Sequence, residues 1–174
     1  LIDTSLTRLP DDPDLLWAKA SFLERDNDID GAIGIYERLY AIDNASPVIA
    51  NNLASLLVTY RDDADSLARA VTVGKRLRGT DFPPFQDTYG WILYRQDNFR
   101  EALTYLEPAA TALTQDPLVQ FHLGKTYLAL DRDADAKAQF EKVVDLAPED
   151  DPRPQIAEAK AQATCVPMPS SVAR

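Results

Sequence analysis

Apolar and small residues recur along this chain with the spacing of α-helices, and the helical segments come in pairs. The segment Trp91–Glu107 aligns with Lys125–Glu141 at an offset of 34 residues, so that Leu106 matches Phe140. Prolines mark almost the same period, at Pro13, Pro47, Pro83 and Pro117. Helical periodicity within such a repeat predicts a solenoid of helix–turn–helix units.

Small residues occur where the two helices of a unit must approach each other. Place 8 of the unit is alanine in the first two units and glycine in the third and fourth. A small residue at place 20 is followed by a bulky one at place 24, in the pairs Ala32/Tyr36, Ala102/Leu106 and Ala136/Phe140. Small residues allow close helix packing. The second unit is the least regular, because Ala70 fits but Gly74 does not, and we place its two extra residues in the turn near Arg61–Asp65.

The pattern of small, bulky and proline positions resembles the tetratricopeptide repeat family. The fourth unit carries it most fully, in Gly124, Tyr127, Ala136, Phe140 and Pro148. The resemblance covers residues 13–150. It implies an all-α fold in which tandem helix–turn–helix units form a right-handed superhelix.

The phase of the repeat divides the chain into segments. Apolar residues at Ile2 and Leu6 fall where a second helix would have them, which indicates an upstream repeat. A polar face is expected on a terminal helix, and residues 154–163 have one. We therefore predict the end of an upstream repeat at 1–12, repeat units at 13–46, 47–82, 83–116 and 117–150, a capping helix at 151–163 and a disordered tail at 164–174.

Composition narrows the classes of partner. The chain has 18 basic and 28 acidic residues, a net charge of −10, which argues against nucleic acid because phosphates require a basic surface. No apolar run reaches the ~20 residues of a membrane-spanning helix, so no membrane insertion is predicted. With 45% hydrophobic residues, the chain has enough apolar material for a packed core.

Catalytic chemistry has no visible support in the sequence. The phosphate-binding glycine loop, the H-E-x-x-H pattern and the G-x-S-x-G pattern are all missing. His122 is the only histidine and Cys165 the only cysteine, so neither a metal cluster nor a disulfide is expected. We predict that the protein is not an enzyme and uses no cofactor.

One short stretch fits a metal-binding pattern. Residues 26–37 read DNDIDGAIGIYE and match a calcium loop at every specified position, with the potential ligands Asp26, Asp28, Asp30 and Glu37. In the phase of the repeat, the same residues form the turn between two helices and the start of the second helix. Aspartates are favoured there because they cap free amides. We favour the capping turn and keep the calcium site as an alternative.

The resemblance also implies a binding surface. In this family the first helix of each unit lines a concave groove. The residues at or beside the corresponding places are Trp17, Asn51, Asn52, Ser55, Asp87, Trp91, Arg95, Phe121 and Lys125. Trp17, Trp91 and Phe121 are expected to act as anchors, since aromatic side chains are common in binding hot spots. The alternative is that Trp17 or Trp91 packs against a neighbouring unit.

These observations predict a non-catalytic scaffold that holds a peptide or protein partner in the groove. Residues 87–103 resemble repeats of bacterial cell-envelope proteins, including those associated with exopolysaccharide export. This favours a bacterial source and the periplasm, with the cytoplasm as the other compartment. Two alternatives stay open: self-association into a homo-oligomer through the irregular second unit or an exposed array end, and a calcium-binding module.

Overall fold

The computed structural model describes residues 2–165, which form α-helices joined by short turns and contain no β-strand. The predicted all-α fold is thereby confirmed. Contacts divide the chain into two compact units, Leu1–Gly79 and Thr80–Arg174. Most of the predicted tail, residues 166–174, lies outside the described residues. No helix in the described part is both long and apolar enough to cross a bilayer.

The first compact unit contains two complete helix pairs. Its α-helices are α1 (Ile2–Leu6), α2 (Pro13–Arg25), α3 (Ile29–Ile42), α4 (Pro47–Tyr60) and α5 (Ala64–Gly74), followed by a 3₁₀-helix at Lys75–Leu77. Helix α2 packs against α3, α3 against α4, and α4 against α5. Each helix thus contacts the next one in sequence, as expected for stacked repeats.

The second compact unit contains two more pairs and a final helix. Its α-helices are α6 (Pro83–Arg95), α7 (Phe99–Ala112), α8 (Pro117–Ala129), α9 (Asp133–Leu146) and α10 (Pro154–Cys165). Helix α10 buries Ile156 and Ala159 and packs against both α8 and α9. It therefore occupies the position of the first helix of a further repeat, and it continues two residues beyond the predicted capping helix.

Local sequence signals explain where the helices begin and end. Side chains of Asp12 and Asp116 accept hydrogen bonds from backbone amides at the starts of α2 and α8, which both have proline in the first turn. The turns within three of the pairs contain a residue with positive φ: Asn27, Asp97 or Asp131. Asparagine and aspartate adopt this left-handed conformation more readily than other non-glycine residues.

Two glycines allow the close helix approach that the repeat pattern predicts. A Cβ atom added at Gly90 would lie 2.7 Å from Cγ of Leu106, and one added at Gly124 would lie 2.9 Å from Cε1 of Phe140. These distances are shorter than carbon–carbon van der Waals contact. The bulky residue at place 24 therefore occupies the space left by the missing side chain at place 8.

The irregular second repeat differs from expectation in the position of its extra residues. Its inter-helix turn, residues 61–63, is as short as the other three turns. One extra residue lengthens α4 to 14 residues, against 13 in α2, and the other lies in the link at residues 78–82. Helix α5 gives way to the 3₁₀-helix after Gly74, and Leu77 of that 3₁₀-helix is fully buried.

Candidate functional site

The first compact unit gathers polar and aromatic groups around Tyr36. This residue occupies the bulky place on α3, and its ring is buried between α2 and α4. Its hydroxyl donates a hydrogen bond to Oε1 of Glu24 at 2.6 Å and accepts one from Nδ2 of Asn52 at 3.1 Å. The ring of Trp17 meets the Tyr36 ring edge-on at 5.5 Å between centroids. We call Trp17, Glu24, Tyr36, Asn51 and Asn52 the Tyr36 cluster.

The hydrogen-bond chain of the Tyr36 cluster ends on an unpartnered atom. Nδ2 of Asn51 donates to Oδ1 of Asn52 at 3.2 Å. Oδ1 of Asn51 is hidden from solvent and has no hydrogen-bond partner among the described residues. A buried acceptor without a partner costs free energy, and a ligand donor would remove that cost. Ser55, half-buried, lies one turn further along α4.

The Tyr36 hydroxyl is a neutral donor at physiological pH. Burial raises the pKa of Tyr36 above its ordinary value, and the hydrogen bond to Glu24 raises it further. Because the proton stays on the phenol, the direction of the chain from Asn51 through Asn52 and Tyr36 to Glu24 is fixed. This series of hydrogen bonds therefore begins at Asn51, whose Oδ1 is left as the unpartnered acceptor.

In the second compact unit, two of the expected anchors are buried. Trp91 is 6% exposed and Phe121 is 2% exposed. The indole of Trp91 stacks between the rings of Tyr94, 4.3 Å away, and His122, 4.2 Å away. The prediction that Trp91 and Phe121 present exposed anchors is therefore wrong for this conformation, because side chains of α8 and α9 cover them.

The side chain of Asp87 is also buried. Its carboxyl oxygens lie 2.9 and 3.1 Å from Nδ1 of His122, which links α6 to α8. The carboxylate accepts, so Nδ1 carries the proton. Nε2 of His122 and Nε1 of Trp91 are both buried without a partner in the described part of the chain. This group of residues consequently holds α6 and α8 together.

The two cationic residues predicted for the groove lie at less buried positions. Lys125 is half-buried, and its Nζ pairs with Oε1 of Glu158 on α10 at 2.5 Å. Arg95 is half-buried at the end of α6 and has interactions with its surroundings. An ion pair of this exposure contributes little to stability and exchanges easily for a ligand.

The structure therefore brings together only some of the predicted residues. Trp17, Asn51 and Asn52 converge on Tyr36, whereas Asp87, Trp91 and Phe121 belong to a packed cluster in the other compact unit. Sequence reasoning missed the roles of Glu24 and the Tyr36 hydroxyl. The available signal was the choice of tyrosine at a bulky place that leucine or phenylalanine fills in the third and fourth units.

The residues of the apparent calcium loop take other roles. Asp28 caps α3 by accepting a hydrogen bond from the amide of Gly31 at 2.9 Å. Asp30 pairs with Arg61, and Glu37 binds Arg69 through both carboxylate oxygens at 2.9 and 2.6 Å. Because α3 begins at Ile29, Glu37 lies on a helix that directs it away from the turn.

No cation site is formed by this stretch. In the described part of the chain, no group of three or more His, Cys, Asp or Glu side chains is placed to hold a metal ion. The interpretation of residues 26–37 as a capping turn agrees with hydrogen bonds that the structure contains. The calcium alternative is therefore set aside.

Solved structures with this fold support the repeat interpretation. A tetratricopeptide repeat protein of Thermus thermophilus, TTC0263, aligns with a TM-score of 0.63 and 20% identity, covering 93% of this chain and 84% of that one. PilW, a type IV pilus biogenesis factor, gives 0.63 and 20%, covering 93% and 76%. YrrB, described as having an unusual peptide-binding site, gives 0.57 and 18%, covering 93% and 79%.

Sequence comparisons identify the repeats directly. A search of curated protein sequences gives no significant match. Two family models described as tetratricopeptide repeat match residues 1–47 and 93–163. These ranges include α2 and α3 at one end and α7 to α9 at the other. The chain is a member of the tetratricopeptide repeat family.

Proposed function

We propose that the protein is a non-catalytic scaffold that binds an extended peptide segment of a partner protein on α2 and α4, the first helices of the repeats in its first compact unit. The observation that carries the proposal is the unpartnered Oδ1 of Asn51 at the end of the Tyr36 cluster. A peptide backbone amide is a donor of suitable size for this acceptor. Trp17 and Ser55, both half-buried, supply an aromatic and a hydroxyl contact beside it.

The remaining predicted residues have secondary roles in this proposal. In the second compact unit, taken by itself, Arg95 and Lys125 are proposed as separate contacts for acidic groups of a partner. Asp87, Trp91 and Phe121 shape the helix surface from below, since they are buried. The net charge of −10 favours a partner that is basic overall. The setting we propose is a bacterial cell-envelope assembly, and the fold shared with the pilus biogenesis factor PilW is consistent with it.

Peptide selection followed by substitution tests this proposal. Peptides selected by display against the full chain are expected to bind it, and Asn51→Ala should weaken them by about tenfold or more, because a buried hydrogen bond is lost. Affinity would be measured by isothermal titration calorimetry. Asn98→Ala is the matched control, since Asn98 is exposed and its side chain makes no capping hydrogen bond.

The outcome of these measurements decides whether the peptides bind at the Tyr36 cluster or at another surface. Selected peptides that bind the wild type, Asn51→Ala and Asn98→Ala with equal affinity would place the binding surface elsewhere and overturn the proposal. Circular dichroism melting of each variant excludes a loss of fold as the cause of weaker binding.

Self-association is a second candidate, favoured by exposed apolar side chains. Ile42 is 46% exposed and Val48 is 47% exposed, on either side of the link between α3 and α4 in the first compact unit. Sedimentation velocity over a range of concentrations should show a dimer that Val48→Ser abolishes. A sedimentation coefficient that is independent of concentration and unchanged in Val48→Ser would end this candidate.

A further inference from the structure

An open cavity lies on the second-helix side of the second compact unit. It has a volume of about 680 Å³ and opens between α7 and α9, with α8 as its floor. Ligand pockets usually have volumes of about 300–1,000 Å³. None of the residues of the Tyr36 cluster lines it, so this cavity is separate from the proposed peptide site.

The lining of the cavity combines apolar and polar side chains. Leu123 and Tyr127 of α8, Ala110 of α7 and Leu146 of α9 form the apolar part. The polar lining residues include Gln120, Gln139 and Asp145. An apolar surface with a few convergent polar groups is the usual composition of a ligand site.

Two carboxamides in the cavity have unused oxygen atoms. Gln120 is 2% exposed, and its Nε2 donates to the carbonyl oxygens of Ala110 and Leu113 at 3.0 and 3.2 Å. This fixes the carboxamide, while its oxygen accepts no bond from the described residues. Oε1 of Gln139 is hidden from solvent and likewise has no partner within the described part. Buried carboxamide oxygens normally accept a hydrogen bond.

The charged residues that line the cavity also favour a ligand that donates hydrogen bonds. The carboxylate of Glu107 is already engaged by the hydroxyl of Tyr127 at 2.9 Å and by Nη1 of Arg132 at 3.5 Å. Burial and this hydrogen bond raise the pKa of Tyr127 to about 12, so the hydroxyl remains a donor. Asp145 and Lys142 form no ion pair with the described residues. The oxygens of Gln120 and Gln139 and the carboxylate of Asp145 are thus acceptors without a partner among the described residues, and Lys142 is a nearby cation.

We propose that this cavity binds an arginine side chain presented by a basic peptide segment of a partner protein. The guanidinium group offers five N–H donors in a planar fork and accepts nothing, which suits the acceptors of Gln120, Gln139 and Asp145. The aliphatic stem lies on Leu123 and Ala110, as long cationic side chains do on apolar surfaces. The head donates to the carboxamide oxygen of Gln120 and, once the half-buried Gln139 side chain turns toward it, to that of Gln139, and Asp145 supplies the compensating charge.

Titration with a model peptide tests this site in the full chain. The probe is the blocked tripeptide Ac-Gly-Arg-Gly-NH2, followed by the side-chain NH₂ signals of Gln120 and Gln139 in ¹⁵N-labelled protein. We expect these signals to shift with saturation below the millimolar range. The same tripeptide with citrulline in place of arginine should bind at least about tenfold more weakly, because a charged hydrogen-bond donor is lost.

A neutral substitution distinguishes the cavity from non-specific attraction to an acidic protein. Gln139→Met keeps the side-chain volume, removes the unpartnered oxygen and leaves the net charge unchanged, so the melting temperature should stay the same or rise. Binding of the arginine tripeptide should weaken by about tenfold. Gln162→Met on α10, outside the cavity, is the matched control and should bind as the wild type does.

Three results would overturn the proposal. The first is the absence of signal shifts with the arginine tripeptide at millimolar concentration. The second is equal binding of the arginine and citrulline tripeptides. The third is equal binding by Gln139→Met and Gln162→Met, which would assign the interaction to the general negative charge. Failure of the peptide site at Asn51 would leave all three readouts unaffected, because that residue belongs to the other compact unit.

Discussion

Phe140→Ala is expected to lower the free energy of unfolding of the second compact unit by about 3–5 kcal/mol, the usual cost of truncating a buried phenylalanine. Phe140 has no exposed surface and fills the space that Gly124 leaves open. Its ring also lies 6.1 Å from that of Phe121. The truncation removes the contact between α8 and α9 at its centre, and the rigid helix backbones cannot close the cavity.

Urea denaturation followed by circular dichroism, with amide hydrogen exchange in α8 and α9, would measure the effect. Phe22→Ala is the matched control, because Phe22 is 42% exposed on α2. Among the ring and cation–π contacts of the described residues, Phe22 makes one, with the guanidinium of Arg25. Its loss should remain below about 1 kcal/mol, the value of an exposed cation–π contact. A much smaller loss for Phe140→Ala, similar to that of the control, would contradict the repeat packing described above.

Trp91→Ala is expected to cost about 3–5 kcal/mol of stability, because the indole is buried between two rings. The sequence alone predicts a different role for Trp91, that of an anchor for a partner in the groove. Removal of the indole also exposes His122, whose ring stacks on it and whose Nδ1 is held by Asp87. The link between α6 and α8 should therefore loosen.

Trp17→Ala provides the comparison for Trp91→Ala. Trp17 is half-buried and meets Tyr36 only by its edge, so its truncation should cost less stability and weaken peptide binding more. Urea denaturation and calorimetric titration with selected peptides would be carried out on both variants. If Trp91→Ala unfolds with the wild-type midpoint, the indole is a surface anchor after all.

The boundaries of the helices follow from short-range signals. Proline at the first turn, aspartate or serine before it and polar turns between pairs place the helices to within a few residues. The close approaches at Gly90 and Gly124 are equally visible in the sequence, since they depend on a contact within one repeat unit. The two extra residues of the second repeat were misplaced because their effect on α4 and the following link depends on how α5 packs.

The binding surface was harder to predict. The sequence identifies which residues lie on the first helices, but the exposure of each depends on residues from the next repeat. Trp91 is covered by His122 and Phe121, both contributed by α8. Trp17 has no such cover from Asn51 and Asn52, which are smaller and polar. Two tryptophans on first helices, at different places of the repeat, thus have different exposure.

The sequence by itself determined the all-α class, the paired helices and the membership in a repeat family, because these depend on periodicity and on local propensities. The tertiary structure decided which aromatic side chains are buried, which acceptors lack a partner and where the cavity between α7 and α9 lies. Those properties come from contacts between residues of different repeats, about 35 positions apart in the chain. Side-chain packing across such contacts depends on shape and volume, which the pattern of apolar and polar letters does not encode.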